Sequence, residues 1–320
     1  MTSTDASAAT PQLVSTSAAP LSGQQVEIRH GAHHAVVTDV GAKLRAYEVD
    51  GRDVVTPFGA DEVAPAGHGA VLAPWPNRLR DGRYTWDGVE LQVDVSEPER
   101  GTALHGLAMW LRWQVEDRTA SSVRLAVRLA PSPGYPFDVL LRVTYSLSDQ
   151  GLEVVTTARN LGRSTAPYGV GFHPWLSPGP GSLDDCTFSL DAATRVTVDE
   201  RLLPTGTEPV RGQYDLREPR TARGLDLDDA FVDVLRDADG LSWARLTGAD
   251  GRTAAIWMDG SMDTWQVCTG DHISAVDYRR TGVAAEPMSC IADAFRTGDR
   301  LVHLAPGAEH TVRWGATLLA

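Results

Sequence analysis

The chain of 320 residues carries 29 Lys+Arg against 42 Asp+Glu, a formal net charge of −13. That sign excludes a protein that neutralises phosphates along a duplex or docks on an anionic bilayer. Lys43 is the only lysine, which removes Schiff-base enzymes and the phosphate-loop lysine of Walker-type nucleotide hydrolases.

In chain order, residues 1–23 are rich in Thr, Ser, Ala and Pro, with Asp5 where a signal peptide carries basic residues and without an apolar core. They read as a disordered leader ahead of one domain over residues 24–320. No apolar run reaches the roughly 18 residues of a membrane span, so a soluble protein is expected. Cys186, Cys268 and Cys290 include no Cys-x-x-Cys pair. Neither a disulfide framework nor a structural zinc centre is indicated, and a reducing, cytoplasmic setting fits.

The chain's 30 Gly and 19 Pro recur between short β-like runs, which begin at about residue 25. His33 and His34 are adjacent, so in a strand they point to opposite faces and cannot jointly hold a metal. Residues 83–93 predict a hairpin: Tyr84 and Trp86 share a face, Asp87-Gly88 turns, and Val89, Leu91 and Val93 share a face. The same alternation returns at residues 123–129, 141–158, 243–257 and 301–314. Capped helical stripes and strand–helix–strand units are absent. The chain therefore reads as all-β and mainly antiparallel, in one large sandwich. There is no Gly-x-Gly-x-x-Gly after a strand, no Gly-x-Ser-x-Gly elbow and no His-Glu-x-x-His pair. Dehydrogenase, hydrolase and zincin chemistry lose their usual support.

Four segments concentrate polar residues. They are residues 73–84 with Asn77 and Arg78, 103–113 with His105, 167–177 with His173, and 283–295 with Glu286. A carboxylate in apolar surroundings is costly unless paired, and desolvation raises its pKa towards neutrality, which suits Glu286 to act as a base. Histidine is the natural acid at that pH, and His173 fits better than His105. Trp75, Trp110 and Trp175 offer apolar faces of the kind sugar C–H groups need. Each feature has a structural alternative: a salt-bridged Glu286, hydrogen-bonded core histidines, an Arg78–Asp81 pair, and tryptophans in the core.

Taken in order, the motifs are Asn-Arg with a following Asp-Gly-x-Tyr, Leu-His-Gly, Gly-x-Gly-x-His-Pro, Asp-x-x-Phe (228–231), and Glu-Pro before Asp-Ala-Phe. From about residue 25 to the end the chain resembles the aldose 1-epimerase (galactose mutarotase) family. The resemblance implies a large antiparallel β-supersandwich and a cleft that needs neither cofactor nor metal. It implies Glu286 as general base, His173 as general acid, and Arg78, His105, Asp228 and Asn77 as sugar ligands. Asp228 is chosen over Asp229 by its three-residue spacing to Phe231. The sequence departs from the best-known galactose mutarotases at Trp175, where a Tyr-Phe pair commonly follows His-Pro, and at Pro287-Met288.

The implied reaction exchanges the α and β anomers of a free monosaccharide, expected to be a neutral hexose such as glucose or galactose. The unplaced arginines Arg80, Arg83 and Arg112 leave a hexose-6-phosphate 1-epimerase as an alternative. A non-catalytic carbohydrate-binding protein and a glycoside hydrolase using Glu286 and Asp228 are the rivals from other classes. A monomer or homodimer is expected, with no nucleic-acid or membrane partner.

Overall fold

Burial with a period of two builds this molecule. In Val139–Ser148 the side chains of Val139, Leu141, Val143, Tyr145 and Leu147 are buried while the residues between them are not. Such a strand hides one face and wets the other. Its partner Gly151–Asn160 returns antiparallel across Asp149-Gln150, with Ser148 opposite Gly151. The computed structural model describes residues 19–320, so most of the expected leader, residues 1–18, lies outside the described residues. Within its last residues, Ser22 donates to the Ala60 carbonyl through both N–H and Oγ, at 3.0 and 2.6 Å.

The first of two large sheets runs Gln25–His30, His33–Thr38, Leu44–Val49, Arg52–Val55, Trp175–Leu176, Val283–Met288, Thr264–Cys268, Asp228–Val234, Ala192–Val198 and Pro204–Pro209. The second runs Gln114–Arg118, Ser122–Leu129, Val139–Ser148, Gly151–Asn160, Glu309–Leu319, Thr253–Met258, Ser242–Thr247, Thr187–Leu190 and Arg220–Thr221. Inward residues of both sheets, among them Ile28, Val37, Tyr145, Val154, Ile256 and Trp265, share one apolar core. Among the described residues the single α-helical turn is Ala294–Thr297.

The hairpin expected at residues 83–93 forms from Arg83–Trp86 and Val89–Gln92, with Tyr84 opposite Leu91. Residues 301–314 also form strands, but these two do not pair with each other. Val302–Leu304 joins Ala166–Tyr168, and Glu309–Leu319 runs between Gly151–Asn160 and Thr253–Met258. The Asn160 amide donates to the Leu304 carbonyl at 2.7 Å and the Gly307 N–H donates to the Asn160 carbonyl at 2.9 Å. That residue separates the two strands.

All four polar segments meet at the middle of the first sheet. Arg78–Arg80 pairs with Thr102–Leu104, Gly171 sits between Leu72 and Met288, and Trp175 lies opposite Ala284. The Gly169 N–H donates to the Pro74 carbonyl at 2.6 Å and the Ser289 N–H donates to the Val170 carbonyl at 2.8 Å. Gly106, at φ +72°, lies so close to the Ala73 carbonyl that any Cβ would collide with backbone. A glycine is required there on both counts.

Candidate active site

Val283–Met288 is buried on both faces, so the lone carboxyl in this strand is almost wholly withdrawn from bulk water. Glu286 is 2% exposed and His173 6%. The His173 Nε2 atom stands 3.4 Å from Glu286 Oε1. The other polar atoms of the pair, Glu286 Oε2 and His173 Nδ1, are buried without a protein partner. Burial pushes the Glu286 carboxyl well above the usual carboxylate range, the Asp228 charge adds to this, and Arg78 opposes it. Burial holds His173 well below the ordinary histidine value, with His105 and His68 acting in the same direction. Both shifts favour the uncharged forms, a protonated carboxyl and a neutral imidazole.

Arg78 is 9% exposed. It is not paired with Asp81, which instead accepts from Arg201 at 2.7 Å. Arg78 donates through Nε and Nη2 to both oxygens of Glu97, at 2.8 and 3.0 Å, and Thr102 Oγ1 donates to the same carboxylate at 2.6 Å. This fork-to-fork geometry fixes the guanidinium plane. Its Nη2 also faces Asp228 Oδ2 at 3.9 Å. Asp228 in turn accepts from Gln266 Nε2 at 2.7 Å, and Gln266 lies directly across the ladder from Glu286. Strand alternation turns the neighbouring Asp229 to the other face, where it accepts from Arg195 at 2.7 Å. Asp228 thus stands over the site and Asp229 does not.

His105 is held by backbone. The Asn77 N–H donates to His105 Nδ1 at 3.2 Å, and the His105 N–H donates to the Asn77 carbonyl at 2.9 Å. Both residues have left-handed backbones, φ 57° for Asn77 and 65° for His105, which Asn tolerates and His adopts at a cost of order 1 kcal/mol. The bond to Nδ1 leaves the imidazole proton on Nε2. Burial, with Arg78 nearby, pulls the His105 pKa down to about 3. At neutral pH this ring is an uncharged hydrogen-bond donor, set edge-on to His173 with ring centroids 5.3 Å apart.

Asn77, Arg78, Asp228 and Gln266 floor a depression walled by Val196, Val198, Leu202 and Pro204. Of the polar residues singled out from the sequence, Asn77, Arg78 and Asp228 line this depression; His105 is bonded to Asn77, Glu286 lies across the ladder from Gln266, and His173 stands beside Glu286. Two of the tryptophans differ from the platform expectation. Trp75 and Trp175 are 3% and 1% exposed, and Trp75 packs edge-on against Phe295. Glu97, Gln266 and His68 were missed by sequence reasoning. Only the in-register position of Gln266 opposite Glu286 could have signalled one of them, and that needs the strand pairing. Cys268, opposite Asp228 and two residues from Gln266, puts a free thiol on the same face. Among the described residues no three His, Cys, Asp or Glu side chains are placed to share a metal ion, and no helix is long and apolar enough to cross a membrane.

Residues 24–316 match the family model described as aldose 1-epimerase. The chain is 35% identical to the uncharacterized protein YihR of Escherichia coli K12 over 292 residues, 90% of this chain and 91% of that protein. It is 33% identical to the galactose mutarotase of Rattus norvegicus over 165 residues, 47% of this chain and 45% of that protein. It superposes on a galactose mutarotase-like protein of Clostridium acetobutylicum with a TM-score of 0.81 at 18% identity, covering 92% of this chain and 94% of the other. The two-sheet sandwich is therefore the galactose mutarotase-like fold.

Proposed function

The chain belongs to the aldose 1-epimerase family, and on that footing we propose that it interconverts the α and β anomers of a free, uncharged aldose. The observation that carries this reading is the side-by-side pair, His173 Nε2 and Glu286 Oε1 at 3.4 Å. Mutarotation needs a donor and an acceptor next to each other, because the ring oxygen O5 and the anomeric oxygen O1 are bonded to the same carbon.

The reactive form has the shared proton on His173 and a carboxylate at Glu286, reached from the resting form by proton transfer within the pair and without a change of net charge. The carboxylate takes the proton of O1–H while His173 gives its proton to O5. The C1–O5 bond breaks as C1=O1 forms. Rotation about C1–C2 presents the other carbonyl face, and the reverse proton transfers close the other anomer. Acid–base positioning of this kind contributes roughly 100- to 10,000-fold. Arg78, with its plane set by Glu97, donates to hydroxyl oxygens. Asp228, steadied by Gln266, accepts from hydroxyls, the His105 Nε2–H donates, and Asn77 holds His105.

Charge pairing favours a neutral sugar over a phosphate ester. Arg80 pairs with Asp199 and Asp293, Arg112 with Asp39, and Arg83 donates to Gln92. A dianion requires several convergent cations with unspent donors, and a net charge of −13 repels it at long range. The test is anomer exchange followed by NMR on glucose, galactose and glucose 6-phosphate, with a methyl glycoside alongside. Exchange of the neutral hexoses without glycoside cleavage supports the proposal. Binding without exchange, cleavage of the glycoside, or a kcat/KM for the phosphate well above both neutral sugars would overturn it.

A further inference from the structure

His173 does not stand alone in its pocket. The Trp175 indole lies parallel to its imidazole, 12° between planes and 5.8 Å between centroids. His68 is parallel to the same indole at 8° and 4.6 Å. His68 is anchored in its turn by donation from Nδ1 to the Pro65 carbonyl at 2.5 Å and by an edge contact with Tyr278 at 5.3 Å. Backbone closes on the stack from two sides. A Cβ on Gly67 would come within 2.9 Å of His173 Cδ2, and one on Gly270 within 3.1 Å of the Trp175 ring.

This arrangement is a poor solution if packing is all that is required. His173 Nδ1, Trp175 Nε1 and His68 Nε2 are all buried without a hydrogen-bond partner, and such orphaned groups are costly where an apolar ring of similar size is not. What the stack supplies is a flat face. It fixes the plane of an imidazole whose own Nδ1 has no bond to fix it, and the face of Trp is the strongest π partner for an imidazolium.

We infer that Trp175 is a positioning residue for His173, its indole, held by His68, setting the imidazole plane so that Nε2 points at the site shared with Glu286. The inference rests on the anomer-exchange reading of the site. It predicts an effect on turnover more than on binding, because Trp175 is 1% exposed and is not among the residues lining the depression beside Asn77, Arg78 and Asp228. Misplacing a reacting group by about 1 Å can cost on the order of 100-fold.

The experiment compares wild type with Trp175→Phe, Trp175→Leu and His68→Ala in the full chain, measuring kcat and KM for anomer exchange alongside Tm. Trp175→Leu is expected to lower kcat by roughly 10- to 100-fold with KM within about twofold. Trp175→Phe, which restores a flat ring, recovers most of that loss, and His68→Ala falls between. Wild-type kcat in a folded Trp175→Leu protein overturns the inference. If the Leu variant does not fold, a Phe variant that folds but loses turnover by roughly 100-fold, or that raises KM alone, overturns it as well. A wild-type protein that exchanges no aldose sinks the functional reading and this inference together, whereas an active wild type indifferent to position 175 sinks the inference alone.

Discussion

Glu286 and His173 are two groups that burial drives towards their uncharged forms from opposite directions, so neither side chain depends on its charge to stay folded. Glu286→Gln and His173→Asn, each close to isosteric, are therefore expected to keep Tm within a few degrees. Each should reduce anomer exchange by roughly 100- to 10,000-fold, since each deletes a proton carrier. Polarimetry on the purified variants checks this, and near-native turnover in Glu286→Gln would remove it as the base. Arg78 behaves differently, because Arg78 and Glu97 are each only 10% exposed at the side chain and depend on one another. Arg78→Met alone leaves the Glu97 carboxylate with Arg100 at 3.3 Å and Thr102 as its remaining partners and is expected to cost about 1–3 kcal/mol, whereas Arg78→Met with Glu97→Met should recover most of that stability without recovering sugar handling. Urea titrations of the two proteins measure the difference, and equal stabilities would mean the pair is not coupled.

One element carries most of the precision, the crossing of residues 73–78 with 103–106, where the backbone of one loop presents the histidine of the other. Gly106→Ala forces a Cβ into the Ala73 carbonyl at a positive φ. It is expected to destabilise the protein by about 2 kcal/mol or more and to lower kcat through a displaced His105. Denaturant melts and steady-state kinetics on one preparation test both, and an Ala variant of wild-type stability would show that the loop has room. The hairpin at residues 83–93 was legible in the sequence because its turn and both its faces lie within eleven consecutive residues. The centre of the first sheet was not legible from pattern. Val71–Leu72, Gly171–Phe172 and Trp175–Leu176 are two-residue strands, too short to show a period, and their partners lie far along the chain. Only the ordered motifs marked them. The candidate site divides in the same way. Glu286 announces itself as one carboxyl in an apolar run, but Glu97 and Gln266 look like ordinary surface residues until pairing brings them to Arg78 and Asp228.

At the scale of the whole molecule, the burial of so many titratable groups makes stability depend on pH. His68 is pulled down to about 4 and His105 to about 3 by burial, and His173 lies well below its ordinary value. Around pH 5 the unfolded chain binds more protons at these three positions than the folded chain does, and this excess is lost as pH rises through the ordinary histidine value of about 6.5. Glu286 acts in the opposite sense, binding a proton in the folded state that the unfolded chain has lost. Near pH 5 the histidines outweigh Glu286, so stability should rise with pH there, and the rise should fade towards about pH 6.5 as the unfolded histidines lose their protons. Lys43, pushed down to about 7 by burial and donating to the Met109 carbonyl at 2.5 Å, acts above that range and there offsets the opposing contribution of Glu286. From pH 7 to 8.5 the unfolded chain keeps this ammonium proton while the folded chain releases it, adding up to about 1.4 kcal/mol per unit. Urea unfolding at half-unit steps from pH 5 to 8.5 measures the profile, and Lys43→Met isolates its upper part. The variant's profile should run parallel to the wild type's below pH 7 and have the lower slope above it. Parallel wild-type and Lys43→Met profiles between pH 7 and 8.5 would mean that Lys43 stays charged in its pocket, stabilised by the Val40 and Met109 carbonyls and the Trp110 ring 4.4 Å from its Nζ.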